Sequence, residues 1–60
     1  MLVRIFWKSG HVENVRNLIN IYFHDEFIEL ITDCVKRKLR RIVPYSSIDE
    51  IQILDEEVNV

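Results

Sequence analysis

The sequence of 60 residues contains no alanine, one glycine, one proline and one cysteine. Its apolar residues are mostly β-branched, with nine Ile and seven Val against five Leu. Because β-branched side chains lose rotamer freedom in a helix and pack well on a pleated sheet, this composition argues against an all-helical bundle. The length allows a single domain over residues 1–60. A chain this short buries only about 60% of the surface that it exposes when unfolded.

The same scarcity excludes several kinds of site. A lone cysteine, Cys34, cannot form an intramolecular disulfide, and a lone glycine cannot build a phosphate-cradling loop. His11, His24 and Cys34 are too sparse to resemble a metal site. No nucleophile elbow or other catalytic motif is present. We therefore expect no enzymatic activity, no metal and no cofactor.

Long apolar runs are missing as well. No stretch approaches the roughly 18 residues of a membrane span, and residues 1–7 lack the basic and apolar regions of a secretory signal peptide. A single cysteine agrees with a reducing compartment. We expect an intracellular, cytoplasmic protein.

Apolar runs and turn signals in the first part of the chain predict β-strands. Short strands are expected at residues 2–7, 11–15 and 18–23, the first two joined by a hairpin at Ser9-Gly10. Gly10, the only glycine, is expected where the backbone needs a positive φ. We therefore predict that the chain begins as an antiparallel sheet.

The alternation of residues in the third of these strands predicts which of its side chains share a face. A period of two puts Ile19, Ile21 and Phe23 on one face of the strand and Leu18 on the opposite face.

Residues 27–43 fit two interpretations. Their apolar residues recur at spacings of three and four, which is the helical period. Against a helix, Lys38 and Arg41 fall within the apolar stripe, and the stretch divides into two apolar segments around a polar centre. The favoured interpretation is a hairpin whose tip carries residues 33–38. The alternative is an α+β fold with a helix at about residues 25–43.

The last part of the chain predicts a closing strand. Pro44 ends the preceding element because it lacks an amide donor. We expect a turn of helix at residues 46–48, a final strand at 51–54, and a short β-like tail at 58–60. The predicted architecture is all-β, a small antiparallel sheet or partly open barrel of five to six short strands.

A sequence motif lies in this closing region, where residues 43–53 read VPYSSIDEIQI. The segment resembles the ending of many short β-rich proteins of Gram-positive bacteria and their phages. A similar Pro-aromatic-Ser-x-Ile stretch closes PRC-barrel domains, although the remainder of this chain does not follow that family. The resemblance implies an all-β fold and an origin in such a bacterium or phage. It carries over no functional residue.

Charge is divided unevenly along the chain, although the net charge is only −2. Five of the eight basic residues fall within six positions, here named the basic segment: Lys36, Arg37, Lys38, Arg40 and Arg41. The rest of the chain holds three basic and ten acidic residues, a charge of −7. Half of the acidic residues form a second cluster: Asp49, Glu50, Asp55, Glu56 and Glu57.

The basic segment is the strongest candidate for a binding site. The preferred hypothesis is a non-catalytic protein-binding or regulatory module that occupies an acidic protein surface, which includes the acidic cluster of a second copy in a homodimer or small homo-oligomer. The alternative is a nucleic-acid-binding module in which basic residues track phosphates and aromatic residues stack on bases. A solvated surface without a partner is the simplest explanation. The candidate partner-binding residues are Lys36, Arg37, Lys38, Arg40, Arg41, Trp7 and Tyr22.

Overall fold

The structure, a computed structural model, describes residues 1–54 and consists almost entirely of β-strands. The strands are β1 (Leu2–Trp7), β2 (Val12–Val15), β3 (Leu18–Phe23), β4 (Phe27–Cys34), β5 (Arg37–Pro44) and β6 (Ile48–Leu54), and a 3-10 turn covers Tyr45–Ser47. These elements confirm the predicted all-β fold with its helical turn. The acidic residues 55–57 and the expected tail at 58–60 lie outside the described residues.

Strands β4 and β5 pair as an antiparallel hairpin, so the alternative helix at residues 25–43 is wrong. Alternate residues of β4 are buried, namely Ile28, Leu30 and Thr32. Phe27 and Ile31 point to the other face, where they are half-buried. Apolar residues on both faces of the strand therefore produce the spacings of three and four that resemble a helix.

The six strands form two antiparallel three-stranded sheets, in the order β2-β1-β6 and β3-β4-β5. The chain crosses between them at two short connections, residues 16–17 and Tyr45–Ser47. The last strand returns to the first, where Ile51 pairs with Ile5. No described pairing joins β2 to β3 or β5 to β6, so the two sheets stay open at both seams.

Within the described strands, one hydrophobic cluster joins the two sheets. Its buried members are Val3, Ile5, Val15 and Ile48 from the first sheet and Leu18, Ile28, Leu30 and Val43 from the second. Burial of each such side chain contributes about 1.5–3 kcal/mol. Thr32 is also buried, and every buried polar side-chain atom within residues 1–54 has a hydrogen-bond partner. The core is small, so the loss of one member is a large fraction of the whole.

A β-bulge changes which side of β3 faces the core. The pairing with β4 shifts between Leu18 and Asn20, because one extra residue on the bulged strand re-aims the side chains that follow. Leu18 lies opposite Thr32 and is buried, while Ile21 packs against the same core. The prediction that Leu18 faces away from Ile21 was therefore wrong. Ile19 lies at the bulge and is 43% exposed.

Of the residues that the structure describes, two take the left-handed backbone conformation, and both lie in hairpin turns. Gly10 has a φ of 97°, as expected, and its N–H donates to the Trp7 carbonyl over 2.9 Å. A Cβ at Gly10 would meet open space, so the requirement for glycine comes from the backbone alone. Lys36 has a φ of 67° in the turn between β4 and β5.

Candidate partner-binding hairpin

The β4–β5 hairpin is longer and its turn is tighter than the sequence predicts. Cys34 pairs with Arg37, so the turn holds only Val35 and Lys36 rather than residues 33–38. Most of the basic segment therefore lies along strand β5 instead of in a loop. Because β5 pairs with β4 alone among the described strands, it is an edge strand of its sheet.

The outer half of this hairpin extends beyond the core. Four consecutive residues, Arg37 to Arg40, are exposed on both faces of β5. Val35, at the turn, is 82% exposed. Burial begins again only at Arg41, which is half-buried, and Val43, which is fully buried. The hairpin therefore has an anchored base and a projecting, basic tip.

The two arginines nearest the base are bound within the molecule. Arg40 donates from Nε to Glu29 Oε2 over 2.5 Å. Arg41 donates from both terminal nitrogens to Glu13, from Nη1 to Oε2 over 2.7 Å and from Nη2 to Oε1 over 3.2 Å. Such two-pronged pairing is the geometry in which a guanidinium binds a carboxylate most specifically. These two side chains serve the fold.

Glu13 and Arg41 connect the two sheets. Glu13 lies opposite Ile5 in one sheet and Arg41 lies opposite Leu30 in the other, so both point toward the core. The indole N–H of Trp7 also donates to Glu13, over 3.2 Å. The hydrogen bond from Arg41 holds the pKa of Glu13 below its ordinary value, and the pKa of Arg41 is raised by the same bond.

A second polar network covers the outer face of the β3-β4-β5 sheet. Glu29 contacts His24 Nε2 over 2.9 Å on one side and Arg40 on the other. The hydrogen bond with His24 lowers the pKa of Glu29 most, and the bond with Arg40 lowers it further. The His24 ring stacks on Phe27 with centroids 4.4 Å apart. The network fixes the position of Arg40 across the sheet.

Three residues of the basic segment have no partner within the described part of the chain, residues 1–54. Lys36, Arg37 and Lys38 form no side-chain hydrogen bond or ion pair with residues 1–54. All three are exposed and follow one another at the tip. Lys38 lies opposite Asp33 in the β4–β5 pairing without bonding to it. The tip thus offers three available cations beside one exposed apolar side chain.

The two aromatic candidates lie away from this tip. Trp7 is half-buried, packs against the core and is bound to Glu13. Tyr22 is 48% exposed on β3, opposite Glu29, and its hydroxyl accepts from Asn20 Nδ2 over 3.0 Å. The structure therefore does not bring either ring together with the available cations.

A shallow recess lies at the opposite end of the same sheet. It has a volume of about 420 Å³ and is lined by Asp25, Glu26, Pro44, Tyr45 and Ser46. The Tyr45 hydroxyl donates to the His24 carbonyl over 2.8 Å, and the Tyr45 N–H donates to the Glu26 carbonyl over 3.1 Å. The β3-β4-β5 sheet is therefore basic at one end and acidic at the other.

Other functional groups are sparse in the described part of the chain. No set of three or more His, Cys, Asp or Glu side chains between residues 1 and 54 could hold a metal ion. Cys34 is half-buried with a free thiol. Within these residues, no helix has the length and apolar character needed to cross a membrane. The basic tip is the most distinctive chemical feature of this surface.

Comparisons with known protein families, with curated proteins and with solved structures find no match to this chain. The resemblance of residues 43–53 to proteins of Gram-positive bacteria and phages stays a prediction.

Two features of the hairpin escape sequence reasoning. The acidic partners Glu13 and Glu29 are 28 and 11 residues from the arginines that they bind, and only the strand pairing brings them together. Val35 belongs to the apolar pattern of residues 27–43, yet its 82% exposure is the highest of the large hydrophobic residues between 1 and 54. A turn signal such as Asn-Gly would have marked it, and the sequence has none there.

Proposed function

We propose that the protein is a non-catalytic binding module that acts inside the cell by occupying an acidic surface of a partner protein. The observation that carries this proposal is the division of the basic segment. Arg40 and Arg41 are used in internal ion pairs, whereas Lys36 to Lys38 are exposed at a projecting tip. Three cations that have no partner among residues 1–54 and lie at the end of a projecting hairpin are accessible to an acidic surface.

The mixed chemistry of the tip supports a protein partner. Electrostatic matching mainly sets the orientation and the rate of association, so cations alone give little affinity. Val35 supplies an apolar contact next to Lys36, and Leu39, 39% exposed, adds a second. An acidic surface with a small apolar depression fits this arrangement.

A nucleic acid is the second candidate partner, and one observation favours it. The projecting element is a two-stranded ribbon, and the major groove of DNA admits a two-stranded β-ribbon. Against this candidate, Trp7 and Tyr22 lie away from the tip, so neither ring can stack on a base that is bound there. Asp33 lies opposite Lys38 and would repel a phosphate backbone.

We also propose that the protein self-associates. The described core is small, and a domain of about 60 residues is marginal without further buried surface. Asp49 and Glu50 lie on β6, another edge strand. They provide an acidic surface on which the basic tip of a second copy can dock, which gives a homodimer or small homo-oligomer.

The experiment compares two variants with the same change in net charge. Lys36→Gln with Lys38→Gln removes two cations from the tip, while Lys8→Gln with Arg16→Gln removes two cations elsewhere. Tagged proteins are used for capture from a lysate of the native host, with and without nuclease, and for sedimentation over a range of concentrations. We expect the tip variant to lose a nuclease-resistant protein partner that the control retains, and to associate with itself more weakly than the control does.

Each outcome decides between the candidates. Equal capture by both variants would exclude the tip as the binding site. Loss of the captured material on nuclease treatment, together with binding of the wild type to duplex DNA at low salt, would favour the nucleic acid. Binding that falls steeply with salt is then expected, because released counterions dominate such affinity.

A further inference from the structure

The free edge of strand β5 has hydrogen-bonding groups that no described residue uses. The two-residue turn makes Cys34 and Arg37 a hydrogen-bonded pair, and such pairs alternate along an antiparallel ladder. In the register of β4 with β5, Lys38, Arg40 and Ile42 are then the residues whose N–H and C=O groups point away from β4.

Pro44 agrees with this alternation. It is two residues beyond Ile42, so its nitrogen also points away from β4. Proline has no N–H and is found in sheets where no ladder bond is required of it. The outward row of donors and acceptors therefore runs from Lys38 to Ile42 and stops at Pro44.

The charges on this edge determine what can pair with it. An exposed edge strand is a template for another strand, and basic residues are a common protection against edge-to-edge pairing. The β5 strand of a second copy would bring a second row of cations against the first and is therefore repelled. An acidic strand is attracted by the same residues.

We propose that an extended acidic segment of the partner protein adds to β5 as an antiparallel strand alongside Arg37 to Ile42. This inference rests on the proposed function and specifies how the partner is held. Main-chain hydrogen bonds give such strand addition its affinity, and alternate side chains give its specificity. Carboxylates opposite Arg37 and Lys38 and an apolar residue opposite Leu39 complete the pattern.

A short peptide with this pattern tests the proposal on the full chain. The probe is acetyl-Val-Thr-Glu-Val-Glu-Glu-amide, in which antiparallel pairing puts the first residue opposite Ile42 and the last opposite Arg37. Two further peptides have the same side chains and charge. One is N-methylated at the first, third and fifth residues, which face β5, and the other at the second, fourth and sixth, which face away.

We expect the unmodified peptide and the peptide methylated on its far edge to bind. The peptide methylated on the near edge should bind at least about tenfold more weakly, because it loses three hydrogen bonds. Amide resonances of Lys38, Arg40 and Ile42 should shift and gain protection from exchange on binding. Peptide titrations followed by two-dimensional NMR measure both effects.

Three results would overturn this inference. Equal binding of the two methylated peptides would show that side-chain charge alone holds the partner, which leaves the proposed function intact. No binding of any peptide would exclude β5 as a pairing edge. Protection of the same amides that rises with protein concentration, in the absence of peptide, would assign the edge to a second copy. Failure of the proposed function is read separately, from unchanged capture by the variant with Lys36→Gln and Lys38→Gln.

Discussion

The two halves of strand β5 both contain basic and apolar side chains but lie in different surroundings. The half from Arg41 to Pro44 contains a buried valine and an arginine that binds across the two sheets. The half from Arg37 to Arg40 is exposed throughout. An edge strand with both basic and apolar residues can therefore anchor a hairpin at one end and present it at the other.

The comparison shows that a cluster of charge need not be one site. The five residues of the basic segment are all Lys or Arg, but the fold brings a carboxylate close to only some of them. Arg41 reaches Glu13 because both point into the space between the sheets. Lys36 lies beyond the end of that space. Position along the hairpin, rather than residue type, separates a structural cation from an available one.

The largest expected effect contrasts one valine at each end of the hairpin. Val43→Ala should lower the free energy of unfolding by about 2 kcal/mol, since it removes buried methyl groups and leaves a cavity. Val35→Ala should change it by less than about 0.5 kcal/mol, as expected for an exposed surface substitution. Urea unfolding followed by tryptophan fluorescence measures both values. Equal destabilisation would mean that the tip is packed as tightly as the base.

The elements of the fold follow from local sequence more readily than the site does. The β-branched composition, Gly10 and Pro44 each act on their own neighbourhood, so the presence of the strands, the first turn and the end of β5 are predictable from them. The bulge in β3 depends on how that strand meets β4, and no signal within the strand itself marks it. Local rules therefore predict elements but not their register.

The same limit applies to the candidate site. The seven candidate residues stand out in the sequence by charge or by aromatic character, and neither property identifies their partners. Trp7 and Arg41 both bind Glu13, a residue that the sequence does not distinguish from the other acids. Lys36 to Lys38 lack such a partner among the described residues, because the length of the hairpin carries them beyond the core. Long-range pairing decides which predicted residues are available.

A smaller effect is expected at the ion pair, tested on two arginines of β5. Arg41→Met should lower the free energy of unfolding by about 1 kcal/mol, because a partly exposed pair contributes modestly. Arg37→Met, the matched control, should be nearly neutral. The pKa of Glu13 is lowered in the folded state. The ion pair therefore stabilises the fold at pH values above the pKa that Glu13 has in the unfolded chain, and this contribution is lost as the pH falls through the pKa of the folded state.

This pH dependence gives the ion-pair prediction a second measurement. Removal of Arg41 returns the pKa of Glu13 toward its ordinary value, so the Arg41→Met variant should lose less stability on acidification than the wild type. Some acid sensitivity should remain, since Glu29 also has a lowered pKa. Urea unfolding at several acidic pH values compares the two proteins. Identical pH profiles would contradict a stabilising role of the pair.

The smallest effect separates stability from binding at the tip. The φ of Lys36, 67°, is a conformation that costs an ordinary residue about 1–2 kcal/mol. Lys36→Gly should therefore be more stable than Lys36→Gln, by about 1 kcal/mol or less because glycine also gains freedom in the unfolded chain. Both variants lose the same charge, so both should weaken partner capture equally. If Lys36→Gly were no more stable than Lys36→Gln, the turn would be free of strain. If the two variants captured different amounts of the partner, both the backbone conformation of the turn and the charge of Lys36 would contribute to binding.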